Sequence, residues 1–105
     1  MIGNAISANM LPEMNIGDEV VIRVKRITEP SADEKKNMKS VVGHPDTASI
    51  IGVPCNRETV TLDKETVLTV AQYIGPRLDP GTTVLPEGAQ IKYFQFTLED
   101  PATAE

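Results

Sequence analysis

The sequence predicts an α/β (α+β) fold, a mixed β-sheet of about five strands flanked by short helices. Three observations lead there. Runs of β-branched residues recur along the chain, polar stretches of helical length fall between them, and glycines and prolines mark the joins. At 105 residues the chain has the length of one domain, able to bury roughly 65% of the surface its unfolded form exposes. Residues 1–99 are expected to form that domain and residues 100–105 a frayed tail.

Taken in order, Ile2 to Ile6 reads as a short strand, and the small polar residues that follow it lead into a brief helical or looped turn. Glu19 to Ile27 is the clearest early strand. Val20, Ile22 and Val24 alternate with Val21, Arg23 and Lys25, predicting one buried face and one partly wet. Pro30 to Lys39 is polar on almost every side and reads as a solvated helical turn or mobile loop, its lysines free of any binding role. Ser31 is placed to cap it and Glu34 to complete a capping box. Pro45 suits the first turn of a second helix and Gly52 its stop, which puts His44 at the helix N-terminus.

Glu58 to Leu62 and Thr66 to Tyr73 read as strands of a hairpin joined by Asp63-Lys64-Glu65. Two prolines and two glycines between Gly75 and Gly81 exclude regular structure there, and Leu85-Pro86-Glu87-Gly88 is a further turn. Gln90 to Leu98 closes the fold as a strand, with Ile91, Tyr93 and Gln95 on one face and Phe94, Phe96 and Leu98 on the other.

Composition narrows the function. A net charge of −5 disfavours a protein that tracks the phosphates of long DNA or RNA, although a compact anionic ligand remains open. Four aromatic residues and no tryptophan leave little from which to build a stacking platform for single strands. Cys55 is the only cysteine, so it has no intrachain disulfide partner, and it reads as a partly buried small apolar residue rather than a nucleophile. No apolar run approaches the roughly 20 residues of a membrane span, and Met1 to Leu11 lacks the pattern of a signal peptide. A cytoplasmic location, with no membrane partner, is therefore expected.

Reactive side chains are few: one histidine, one cysteine and scattered carboxylates without metal-ligand spacing. No metal or cofactor is expected. On residue type alone, His44 either does acid–base work or caps a turn, and Arg77 either clamps an anion or braces its own loop. Asn4, Ser7 and Asn9 either face a ligand or close a turn by local bonds.

Three segments add to this. Asn4-Ala5-Ile6-Ser7-Ala8-Asn9-Met10-Leu11 is similar to the N-A-F-S-I-N-M-L segment that opens the viral ring nucleases of the type III anti-CRISPR family. Gly43-His44 followed by Asp46-Thr47 resembles their G-H-D-S-T segment, and Arg77-Leu78-Asp79-Pro80-Gly81 resembles their R-L-E-E-G loop. The three occur in the family's order and span nearly the whole chain.

The resemblance implies a homodimer that binds a cyclic oligoadenylate, chiefly cyclic tetra-adenylate, and linearises it without a metal by attack of a ribose 2′-hydroxyl. This would counteract or reset type III CRISPR signalling, in the host cytoplasm if the protein is viral. It assigns His44 as the proton donor and Arg77 as the phosphate clamp, with Asn4, Ser7, Asn9, Arg57 and Gln72 facing the ligand. Arg57 matches an N-R pair of the family, and Gln72 matches a ligand-facing glutamine once one residue is inserted before Arg77. The chain departs from the pattern at Pro80, where the family loop has a glutamate thought to support the histidine. That departure makes a non-catalytic sponge for a cyclic nucleotide the alternative.

Overall fold

Alternation along residues 90 to 99 sets the centre of the molecule, because that strand has an apolar cluster on each side. Tyr93 packs into one cluster, with Ile2, Val42, Ala48, Ile51, Val53 and Ala71. Leu98 packs into the other, with Met10, Leu62, Leu68 and Val70. The computed structural model describes residues 1–102. Its elements are β1 (Ile2–Gly3), a 3-10 turn (Ala8–Met10), β2 (Val21–Ile27), α1 (Ala32–Asn37), α2 (Pro45–Ile51), β3 (Val67–Ile74) and β4 (Gln90–Glu99).

The four strands form one mixed sheet in the order β1-β3-β4-β2. β1 runs parallel to β3, while β4 is antiparallel to both of its neighbours. A fifth extended piece lies outside β1, where Ile2 bridges Ser40 in parallel. Ile2 donates its amide to the Lys39 carbonyl at 2.9 Å and accepts from the Val41 amide at 2.8 Å. The expected α+β sheet is therefore present, with four strands and one bridge.

Its composition differs from the expectation in two places. The first strand stops at Gly3 instead of Ile6, because the chain turns at Asn4 toward the 3-10 turn. Glu58 to Leu62 is not a strand, and Asp63-Lys64-Glu65 does not join a hairpin. Both edges of β3 are already taken, by β1 and by β4, so no ladder is open to residues 58–62. Leu62 instead gives its amide to the Met10 carbonyl at 2.7 Å and buries its side chain in the second cluster. Asp63 makes a turn of its own, its carboxylate accepting from the Glu65 amide at 2.9 Å and from the Thr66 hydroxyl at 2.7 Å.

α2 lies over the first face of the sheet and buries Ala48 and Ile51. α1 buries none of its residues. Its capping box is complete, with the Ser31 hydroxyl accepting from the Glu34 amide and the Glu34 carboxylate accepting from the Ser31 amide, both at 3.1 Å. One lysine of this segment is not solvated as expected. Lys35 turns inward, donates to the Ile51 carbonyl at the end of α2 at 3.0 Å, and sits 5.4 Å from the centre of the Tyr93 ring. The Glu29 carboxylate accepts from both Lys35 and the Tyr93 hydroxyl. Burial pushes the Tyr93 phenol above its ordinary pKa.

β2 also departs from the expected one-face burial. As the edge strand it is exposed on both faces, with Ile22 38% and Val24 53% accessible. Of the expected tail, Pro101 and Ala102 form a turn, Asp100 pairs with Lys64, and residues 103–105 lie outside the described residues.

The Asp63 turn gives a pH-dependent prediction. The Thr66 hydroxyl, then the Glu65 amide, hold the Asp63 carboxyl below its ordinary pKa. A carboxyl lowered on folding stabilises above its unfolded pKa, and that contribution is lost as pH falls through the folded value. Asp63→Ala should therefore lower the denaturant midpoint at pH 7. The gap from the parent protein should close as pH drops below about 3.9.

Candidate functional site at the strand ends

Three neighbouring parallel segments end on the same side of the sheet: residues 39–42, β1 and β3. Each is followed at once by a segment rich in polar groups. Gly43-His44 leaves the first, Asn4 leaves the second, and the Gly75–Gly81 loop with Arg77 leaves the third. Carboxyl ends of parallel strands are where open sheets of this kind form ligand crevices, because the chain leaves the ladder there and its loops diverge.

Bonds between these segments fix their relative placement. His44 is the N-cap of α2 and is exposed, and its imidazole makes no capping bond. The Arg57 guanidinium donates to the Gly43 carbonyl at 3.0 Å, so Arg57 sits beside the residue that precedes His44. Asn56 secures residues 40–42 from outside, donating its side-chain NH2 to the Ser40 carbonyl and its backbone N–H to the Val42 carbonyl, both at 2.8 Å. Two residues after His44, the Asp46 carboxylate accepts the Gly81 amide at 2.9 Å and ties the Arg77 loop to the first turn of α2. Ser49 adds a second tie, to the Thr83 carbonyl at 3.0 Å.

The loop is shaped from within by its glycines and prolines and by Tyr73. Tyr73 donates its hydroxyl to the Pro76 carbonyl at 2.7 Å, immediately before Arg77. Gly75 is held so close to Ala89 that an added Cβ would lie 2.6 Å from the Ala89 Cβ. Pro80 and Gly81 occupy the middle of a turn closed by the Thr82 amide on the Asp79 carbonyl at 3.2 Å. With Gly81 at φ +87°, this is the sequence signature of a type II turn, with Pro first and Gly second. Pro80 therefore builds the turn that presents the Gly81 amide to Asp46.

Arg77 is exposed, and no carboxylate among the described residues lies within ion-pair distance of it. Asn4 stands between two clefts. One, of about 170 Å³, lies under α2 and is lined by Asn4, Thr47, Ile50, Tyr73 and Leu78 among others. The other, of about 450 Å³, opens on the far face of the sheet, where Asn4 meets Gln72, Val24, Phe94 and Phe96. The strand ends thus carry His44, Arg57, Asn4 and the Arg77 loop on one side of the sheet; Asn4 and Gln72 line the second cleft, while His44, Arg57 and Arg77 line neither. Ser7 and Asn9 are exposed on the 3-10 turn and line neither cleft. Asp46 and Tyr73 are the positioning residues that were missed. The prolines and glycines of the loop were a visible signal of shape but not of what holds it.

Cys55 is exposed rather than partly buried. Val53, two residues earlier, takes the place in the core that a small apolar residue there would fill. Among the described residues, no three His, Cys, Asp or Glu side chains are grouped as metal ligands would be.

Charge is segregated along the strands. At the opposite end of the sheet, seven carboxylates (Glu13, Asp18, Glu19, Asp63, Glu65, Glu99, Asp100) face only two cations, Arg23 and Lys64. Those side chains sum to a formal −5, while the other described residues, with eight Lys or Arg and seven Asp or Glu, sum to +1. Arg23 pairs with Glu99 through two bonds, at 2.6 and 3.0 Å, which lowers the pKa of the Glu99 carboxyl. An anion approaching His44 and Arg77 meets no excess of negative charge.

No known family model matches the chain, and a search of curated proteins finds no match.

The Asp46 tie can be tested directly. In Asp46→Ala the Gly81 amide loses its acceptor and should exchange with solvent at least tenfold faster, while amides of β3 and β4 stay protected. Hydrogen exchange followed by NMR reads both at once, and unchanged protection at Gly81 would show that the loop is held by other contacts.

Proposed function

We propose that the protein binds a cyclic oligoadenylate, most simply cyclic tetra-adenylate, and opens it as the ring nucleases do whose segments it resembles. The observation that carries this reading is the convergence of Asn4, His44 and the Arg77 loop on the carboxyl ends of three adjacent parallel segments. These are also the three segments of resemblance. They lie far apart in sequence, yet the fold brings them to one side.

In the proposed reaction a ribose 2′-oxygen attacks the adjacent phosphorus, loses its proton to solvent, and the bond from phosphorus to the 5′-oxygen breaks. The His44 imidazolium donates a proton to the departing 5′-oxygen, and the products are a 5′-hydroxyl and a 2′,3′-cyclic phosphate. Arg77, exposed and without an ion pair among the described residues, clamps the phosphate and offsets charge gathering on its oxygens. Arg57 lies next to His44 through Gly43, while Asn4 and Gln72 offer amides to ribose or base edges. Ser7 and Asn9 reach the ligand only from the neighbouring 3-10 turn. The biological consequence would be removal of a defence messenger.

A homodimer is part of this proposal. An antiparallel sheet face turned to water is ordinarily polar, but here Ile22, Val24, Phe94 and Phe96 share the face opposite α2. A twofold partner on that face would cover it and set two copies of Asn4 and Gln72 near the axis. Val24→Arg should then shift the protein toward monomer in analytical ultracentrifugation. An unchanged mass, dimeric or monomeric in both proteins, would remove this face from the proposal.

Pro80 favours a second reading, a sponge that binds the ring without opening it. It fills the position of the family's supporting glutamate with a turn-forming residue, and Asp46, the carboxylate nearest His44 in sequence, already accepts the Gly81 amide. One experiment separates the readings. With an enzyme, His44→Ala should slow single-turnover cleavage by roughly 10²–10⁴-fold with affinity nearly intact. Arg77→Ala should weaken binding at least tenfold through loss of charge-assisted bonds worth about 1.5–3 kcal/mol each. Tight binding of an intact ring by the parent protein would select the sponge. Absence of binding to cyclic tri-, tetra- and hexa-adenylate would overturn both.

A further inference from the structure

Two cations at the same end of the sheet have no counter-ion among the described residues. Arg26, on β2, pairs in register with Phe94 of β4, and Lys92 precedes Phe94 by two positions, so both project from the face opposite α2. Such diagonal neighbours have their Cα atoms about 7–8 Å apart, a gap that two long cationic side chains can close on one tetrahedral anion. Both line a single cleft of about 530 Å³ at the strand ends. Neither has a carboxylate within ion-pair distance among the described residues. Glu29 borders the same cleft, but its Oε1 accepts from Lys35 and the Tyr93 hydroxyl, and its carboxylate is not within ion-pair distance of Arg26 or Lys92. Two like charges set side by side without compensation cost stability unless an anion offsets them.

Their position also matters. Gln72 pairs in register with Lys92, so a polar row runs from Asn4 and Gln72 across β3 to Lys92 and Arg26. We propose that Arg26 and Lys92 form a second phosphate-binding site, for another phosphodiester of the same nucleotide ligand whose scissile phosphate lies at Arg77. The class of ligand rests on the proposed function; the anion site itself does not. An arginine fork beside a lysine suits a phosphate, with the guanidinium giving paired bonds and the ammonium a point charge.

The test uses the full chain with inorganic pyrophosphate and, separately, cyclic tetra-adenylate. Pyrophosphate should shift the amide resonances around Arg26 and Lys92, and Arg26→Gln/Lys92→Gln should abolish those shifts while leaving the thermal midpoint unchanged or higher. The same double variant should bind the ring about tenfold more weakly and with a shallower salt dependence. Pyrophosphate shifts that are absent, or that survive the double substitution, overturn the site. Ring binding that is equal in the double variant and the parent overturns its role in the ligand while leaving the proposed function standing. If the ring does not bind at all, the proposed function fails and the pyrophosphate measurement still decides the anion site.

Discussion

Everything at the strand ends depends on the two residues of β1. Ile2 and Gly3 are wedged between β3 and the segment around Ser40, in register with Thr69 and Val70 on one side and bonded to Lys39 and Val41 on the other. Ile2 is wholly buried, and a Cβ at Gly3 would lie 2.9 Å from a Val41 methyl. Without that wedge, residues 39–42 would have no sheet to join. His44 would then no longer follow a segment that bridges β1 in parallel. A fully buried isoleucine side chain is worth roughly 1.5–3 kcal/mol, so a short strand can hold this arrangement when its side chain goes into the core and its backbone is bonded on both edges.

The charge distribution resolves an apparent conflict. A net charge of −5 argues against an anionic ligand only if it is spread evenly. Here the surplus carboxylates gather around Lys64 and the start of β2, a strand's length from His44. At the range of a Debye length, about 8 Å in physiological salt, the two ends are electrostatically separate. Overall charge therefore describes solubility, and the local cations describe what can bind.

Much of the fold was legible because its signals are local. The capping box at Ser31 and Glu34, the Pro45 start and Gly52 stop of α2, and the alternation of β4 all depend on near neighbours in sequence. What was misread depends on competition at a distance. Glu58 to Leu62 has strand-like composition, but β1 had already taken the edge of β3. Val24 alternates correctly yet falls on an edge strand, where it is left 53% exposed. Lys35 reads as solvent-facing until the Ile51 carbonyl and the Tyr93 ring are brought beside it by folding. At the site, residue type singled out His44 and Arg77, but the ties that hold them in place, at Asp46, Tyr73 and Arg57, join residues up to 35 positions apart.

The exposure of Cys55 has a practical side. It is the chain's one thiol, it stands free on the surface, and it is two residues from the arginine that grips the carbonyl before His44. A single fluorophore attached there by maleimide chemistry needs no engineered cysteine and no removal of others. It would sit in the segment after α2, next to the Asn56 that bonds Ser40 and Val42, and its emission would report a change of surroundings there when a molecule occupies the strand ends.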